Sequence, residues 1–178
     1  MRPIYTRDPL AHPEALIRRV YAYVAYRVGD GPAAEDITGE TFVRAVRYRN
    51  RYDPGKGRPV DWVLGIARRC ISDARAEGAT HPPPGPEDVV APGDVAAEAA
   101  DRLALRAALS LLSERDRELI ALRYGADLSA RQIAEHLGSR TNSVEVALHR
   151  ALGRLRQTLG EGEWQERWVS EPPTSPSR

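Results

Sequence analysis

Residues able to do covalent chemistry are few and scattered. His12, His81, His136 and His149 are the four histidines, and no nucleophile, base and orienting residue fall together in one motif. The single cysteine, Cys70, lies on a helical apolar stripe, where a packed thiol is expected rather than a reactive one. One cysteine cannot close an internal disulfide, and no Cys/His cluster has zinc spacing. No metal, cofactor or enzymatic activity is expected, and the expected compartment is a reducing cytoplasm. Arginine is the abundant functional group: of 26 lysines and arginines only Lys56 is a lysine. The guanidinium fork suits bidentate contact with phosphate or carboxylate. Codon bias in a GC-rich genome would give the same excess, and composition does not separate the two causes.

One stretch concentrates groups that read nucleic acid. LSARQIAEHLGSRTNSVEVALHRALGRLR, residues 128–156, has the layout of a helix-turn-helix. Ser129 suits an N-cap, and Ala134 is small where two helices must approach closely. Gly138 stands where the chain needs a left-handed turn. Val144 and Leu148 hold the second helix against the first. The opposite face presents Arg140, Thr141, Asn142, Glu145, Val146 and His149. A helix fits the major groove, and residues near its N-terminus meet base edges. Arg150, Arg154 and Arg156 are placed to reach phosphates. The same pattern would also serve two packed helices with a solvated outer face.

The elements that position this motif are helical throughout. Leu16, Val20, Tyr23 and Val24 recur at three- and four-residue steps, with Pro13 in a first turn. A second helix is predicted from Pro32 to about Tyr48, with Ile37, Thr41, Ala45 and Tyr48 on its apolar face and Phe42 beside it. A third is predicted from about Val60 to Ala76, on the stripe Trp62, Val63, Ile66, Ala67, Cys70 and Ile71. Asp53-Pro54-Gly55 marks the turn between them. Further on, a helix over about Asp101–Leu112 is followed by Ser113 as an N-cap, with Asp116 three residues later in a box-like position. The next helix is predicted to end at Gly125. No alternating pattern suggests a sheet. The expected fold is all-α: two small helical domains joined by a flexible linker.

The domains are predicted at 14–77 and 101–160. Residues 78–100 form a Pro/Gly-rich acidic linker, since five prolines within 78–97 leave no room for a long helix. Its extended reach is on the order of 50 Å. The tail 161–178 is expected to be disordered, although Trp164 and Trp168 stand at helical spacing. Net charge over the 178 residues is only +1, but its distribution is uneven: +4 over 1–77, −5 over 78–101, +4 over 102–160 and −2 over 161–178. Two mildly basic segments flank an acidic strip. No apolar run is long enough to span a membrane, and no membrane contact is expected. The start MRPIYTRDPLAHPEAL lacks the apolar core of a secretory signal.

LSLLSERDRELIALRYGADLSARQIAEHLGSRTNSVEVALHRALGRLRQTL resembles region 4 of bacterial sigma factors, the segment that reads the −35 promoter element. AAEDITGETFVRAVRYRNRYDPGKGRPVDWVLGIARRCISDAR resembles region 2, which binds the clamp of RNA polymerase and opens the −10 element. The pair, in this order and over about residues 14–160, resembles the extracytoplasmic-function (ECF) group. The resemblance implies a sigma factor whose partners are core RNA polymerase, promoter DNA and an anti-sigma factor. It implies that Glu35, Asp36 and Glu40 form an acidic surface for the polymerase. The same carboxylates near a helix start also interact favourably with the helix dipole. It implies that the loop from Arg51 to Val60 holds a base flipped from the −10 duplex. Tyr52, Lys56 and Arg58 then offer a ring and cations for single-stranded DNA, and Arg68, Arg69 and Arg75 track phosphate. Trp62 matches the family's tryptophan and is read as core.

This chain departs from the family pattern at several positions. Gly39 stands where glutamine is often found, Pro59 where an aromatic is common, and Arg69 where asparagine is common. Glu145-Val146-Ala147 replaces a lysine-serine-arginine run, exchanging two cations for one anion. These changes imply an altered promoter preference, including a cytosine read through Glu145. The alternative is a helix-turn-helix regulator that is not a polymerase subunit. Association of the first 77 residues with core polymerase separates the two.

Overall fold

A computed structural model describes residues 8–78 and 94–160, with side chains from residue 101 in the second span. Residues 1–7, 79–93 and 161–178 lie outside the described residues. With them fall most of the predicted linker, the predicted tail, and Trp164 and Trp168. The described residues form seven α-helices and no strand: α1 Pro13–Val28, α2 Pro32–Tyr48, α3 Pro59–Ala76, α4 Asp94–Leu111, α5 Glu114–Ile120, α6 Ala130–Leu137 and α7 Thr141–Leu159.

Helices α1 to α3 each begin with a proline, whose missing N–H removes nothing that the first turn needs. Their buried residues follow the predicted stripes. α1 buries Leu16, Val20, Tyr23 and Val24. α2 buries Ala34, Ile37, Thr38, Thr41 and Ala45, and the Thr41 hydroxyl donates to the Ile37 carbonyl at 2.7 Å. Tyr48 is exposed at the end of α2, and the Arg51 guanidinium lies 5.0 Å from its ring centroid. α3 buries Val60, Val63, Ala67, Cys70 and Ile71, with Leu64 as an addition to the predicted stripe. Burial of a leucine or isoleucine of this kind stabilises the fold by about 1.5–3 kcal/mol.

The C-terminal helices differ from expectation in two places. α4 begins at Asp94, upstream of the expected Asp101, so the end of the predicted linker is helical. Its first residues, DVAAEAA, are alanine-rich and helix-favouring, and they follow directly on Pro92-Gly93. The helix predicted to end at Gly125 instead stops at Ile120, and a π-helical turn carries the chain from Ala121 to Gly125. The Ala126 N–H bonds the Ala121 carbonyl across it at 2.9 Å. α5, α6 and α4 all pack on α7.

The two modules share one core. Leu16, Val20, Tyr23 and Val24 of α1 pack in the same buried cluster as Leu119, Leu122, Leu128, Ile133 and Leu148. The π turn seats against α1. Gly125 comes so close that a Cβ there would lie 2.8 Å from the Tyr23 backbone N and Cα. A second cluster, of Leu109, Leu112, Ile120, Ala151 and Leu155, closes α4 and α5 onto α7.

Candidate nucleic-acid interface

The helix-turn-helix is built by caps and one special backbone residue. The Ser129 hydroxyl accepts from the Gln132 N–H at 3.3 Å, and the Gln132 side chain accepts from the Ser129 N–H at 2.9 Å. This reciprocal box satisfies donors that the start of α6 leaves open. Gly138 ends α6 with φ +63°, a left-handed conformation that a Cβ disfavours. The chain then reverses into α7. Ala134 is buried where the helices cross, with Ile133, Val144 and Leu148 around it.

With that seam fixed, the other side of α7 faces outward. Arg140, Thr141, Asn142, Glu145, Val146, His149 and Arg150 are all exposed. Residues 142, 145, 146 and 149 lie on one helical face, so donors, an acceptor and a small apolar group are offered together. Arg154 is also exposed, but its fork is held by the Asp116 carboxylate at 2.7 and 2.8 Å. Burial works against the Asp116 charge, yet Arg154 and the Ser113 hydroxyl hold its carboxyl below the usual range. Ser113 does cap α5, accepting from the Asp116 N–H at 3.2 Å. The Asp116 side chain turns to Arg154 rather than completing the expected box.

The N-terminal module separates the predicted residues into two groups. Glu35, Asp36 and Glu40 are exposed along α2. Glu40 is bonded to Arg44 at 2.6 Å, and Arg44 also reaches Asp73 at 2.6 Å, tying α2 to α3. In the loop, Tyr52 is 9% exposed. Its hydroxyl donates to the Gly57 carbonyl at 2.9 Å, and its ring tilts against Trp62 with centroids 5.6 Å apart. Tyr52 thus anchors the loop on Trp62. Lys56 projects into solvent, 3.9 Å from Asp53. The Arg58 fork grips Asp61 at 2.7 Å through two nitrogens, and both residues cap the start of α3. Arg68 and Arg69 are exposed on α3, and Arg68 lies 3.5 Å from Glu118 of α5.

Sequence reasoning missed the charged seam between the modules. Arg27 is 6% exposed. It meets Tyr23 Oη at 3.1 Å, Glu114 at 2.9 Å and Glu118 at 3.5 Å. Arg75, read as a phosphate contact, bonds Glu114 and the Arg27 carbonyl. The Arg19 guanidinium donates to the Ala126 and Asp127 carbonyls at 2.7 and 3.2 Å. Burial works to raise the Glu114 pKa, but Arg75, Arg27 and Arg117 prevail and hold it below the ordinary value. The Tyr23 hydroxyl is pushed up to about 12 by burial, so it stays protonated. Burial likewise raises the Cys70 thiol. The available signal was weak: Arg27 continues the α1 stripe four residues after Tyr23, where the periodicity asks for an apolar residue.

These features are those of a two-part sigma factor, and comparison with known proteins agrees. Residues 14–79 match the model of sigma-70 region 2, and residues 102–155 match that of sigma-70 region 4. The chain is 32% identical over 167 residues to the ECF RNA polymerase sigma factor ShbA of Streptomyces griseus, covering 85% of each chain. It is 32% identical to the RNA polymerase sigma factor CarQ of Myxococcus xanthus, covering 82% of this chain and 85% of CarQ. It is 35% identical to the ECF sigma factor SigD of Mycobacterium tuberculosis H37Rv, covering 79% and 71%. The fold is similar to that of the sigma factor RpoE in complex with the anti-sigma factor NepR from Bartonella quintana. That match has a TM-score of 0.61 at 19% identity, over 83% of this chain and 93% of that one. CnrH in complex with the cytosolic domain of CnrY gives a TM-score of 0.57 at 20% identity, over 85% and 84%. The chain belongs to the ECF RNA polymerase sigma factors, the subunits that bind core RNA polymerase and direct it to promoter DNA.

Proposed function

We propose a division of that task among the residues above. α2 offers Glu35, Asp36 and Glu40 to basic groups on core polymerase. The exposed cations Lys56, Arg68 and Arg69 follow the phosphates of the opened −10 strand, while Tyr52 and Arg58 fix the loop that receives its bases. α7 enters the major groove at −35 with Arg140, Thr141, Asn142, Glu145, Val146 and His149 toward base edges and Arg150 toward phosphate. Arg154 joins them through the same phosphate, shared with Asp116. The chain catalyses no covalent step: it supplies binding and strand separation to the polymerase, and its site of action is the cytoplasm. None of the described helices is long and apolar enough to cross a membrane.

The observation that carries this reading is the outward face of α7, continuous and exposed, on a helix held by a cap box and a left-handed glycine. An anti-sigma factor is the proposed inhibitor, since both solved neighbours are complexes: RpoE with an anti-sigma factor, and CnrH with the cytosolic domain of CnrY. Reversing three charges (E35K, D36K and E40K together) tests the polymerase-facing surface. The variant is expected to keep its helix content and to lose co-elution with purified core polymerase. Undiminished co-elution would remove these three residues from the interface.

A further inference from the structure

The seam between the modules has features that a passive contact does not need. It buries an arginine, Arg27, whose Nε finds no hydrogen-bond partner. A buried ion pair contributes little net stability, because desolvating both charges offsets their attraction. The arginine–carboxylate contacts therefore select one docked geometry more than they strengthen it. The groups involved matter too. Glu118, 12% exposed, reaches Arg68 of α3 and Arg27 of α1, and Glu114 reaches Arg75 of α3. Two carboxylates of the C-terminal module thus sit on the arginines of the face assigned above to the single strand. The reading face of α7 meanwhile remains exposed.

We propose that this docked form is a self-closed resting state. In it α5 covers the α1–α3 face, and Glu114 and Glu118 occupy arginines that nucleic-acid phosphates would otherwise meet. The occupant is this chain's own C-terminal module, and separation of the modules frees the face. This rests on the assignment of α3 to single-stranded DNA. Closure itself is independent of that assignment and is measured separately below.

Gly125 provides a clean way to open the seam. Its φ is not in the left-handed region, so alanine fits the C-terminal module's own backbone. The added Cβ would lie 2.8–2.9 Å from backbone atoms of Ala22 and Tyr23 across the seam, which cannot yield as a side chain can. Arg19→Ala is a second opener that adds no atoms. It deletes the two guanidinium bonds to Ala126 and Asp127.

The test compares full-length wild type, G125A and R19A by small-angle scattering. Binding of a fluorescent single-stranded deoxyoligonucleotide is then measured at low salt. Wild type is expected to be compact and both variants expanded. If nine-tenths of the wild type is closed, the variants bind the oligonucleotide about tenfold more tightly. A wild type as expanded as G125A overturns the closed state. Variants as compact as wild type overturn this seam as what holds it. Expanded variants with unchanged oligonucleotide affinity overturn the claim that closure masks the face. None of these scattering outcomes depends on whether the chain supports transcription.

Discussion

At the scale of single residues, the least ordinary choices are an acid on the reading helix and a histidine in the seam. Glu145 is exposed among the reading residues of α7, and a carboxylate there accepts from the N4 amino group of cytosine. Glu145→Ala is expected to remove discrimination at one base pair of the −35 element, worth about 1–3 kcal/mol. Transcription from a randomised −35 library reads this as loss of preference at one position only. His136 of α6 is nearly buried, 3.8 Å from Asp61. Burial lowers its pKa, with Arg68 and Arg58 acting the same way, while Asp61 and Glu118 oppose. A histidine held below its unfolded value near 6.5 keeps its stabilising share above that pH and loses it as the pH falls toward the folded value. Melting temperature is therefore expected to drop between pH 7.5 and 5.5, and His136→Gln to flatten part of that slope. An unchanged slope in the variant would assign the drop to other groups. The sequence showed Glu145 as an oddity because the family pattern gave a reference for it. It showed nothing of His136, since burial by a residue distant in the chain leaves no local mark.

At the scale of elements, periodicity was a sound guide wherever one helix face is buried and the other wet. The predicted bounds Pro32–Tyr48 match α2, and the predicted start of α3 differs by one residue. Ser113, Ser129 and Gly138 perform the capping and turning roles that their types suggested. Two failures share a cause. Gly125 was read as a helix end because glycine commonly occupies that position, whereas its lack of a side chain serves contact with Tyr23. Arg27 was read as the polar side of α1 because its carboxylate partners lie 87 and 91 residues away. Neither partner is visible to a local pattern. The turn of the reading motif gives a direct check. Gly138→Val places a β-branched side chain at φ +63°, and is expected to destabilise by about 1–2 kcal/mol. Ser129→Ala removes the cap and is expected to cost about 1 kcal/mol. Thermal melts measure both, and a Val variant as stable as wild type would contradict the turn as described.

At the scale of the whole molecule, charge is arranged rather than accumulated. The net charge of +1 hides two segments of +4 separated by an acidic one, and such a chain has little general attraction to duplex DNA. The free protein is expected to bind promoter fragments weakly, with affinity falling steeply as salt rises. Specificity then depends on the polymerase bringing both modules to their sites at once, so that the second contact forms within an assembly already bound. The architecture serves that purpose: one module carries the polymerase-facing acids and the single-strand cations, the other carries the reading helix, and the two can share a core. The most direct measurement is transcription by purified core RNA polymerase on genomic fragments, with and without this protein and with no inhibitor present. Discrete transcripts that appear only when the protein is added are the predicted result. A folded protein that yields no transcript beyond the background of core enzyme alone would contradict the account.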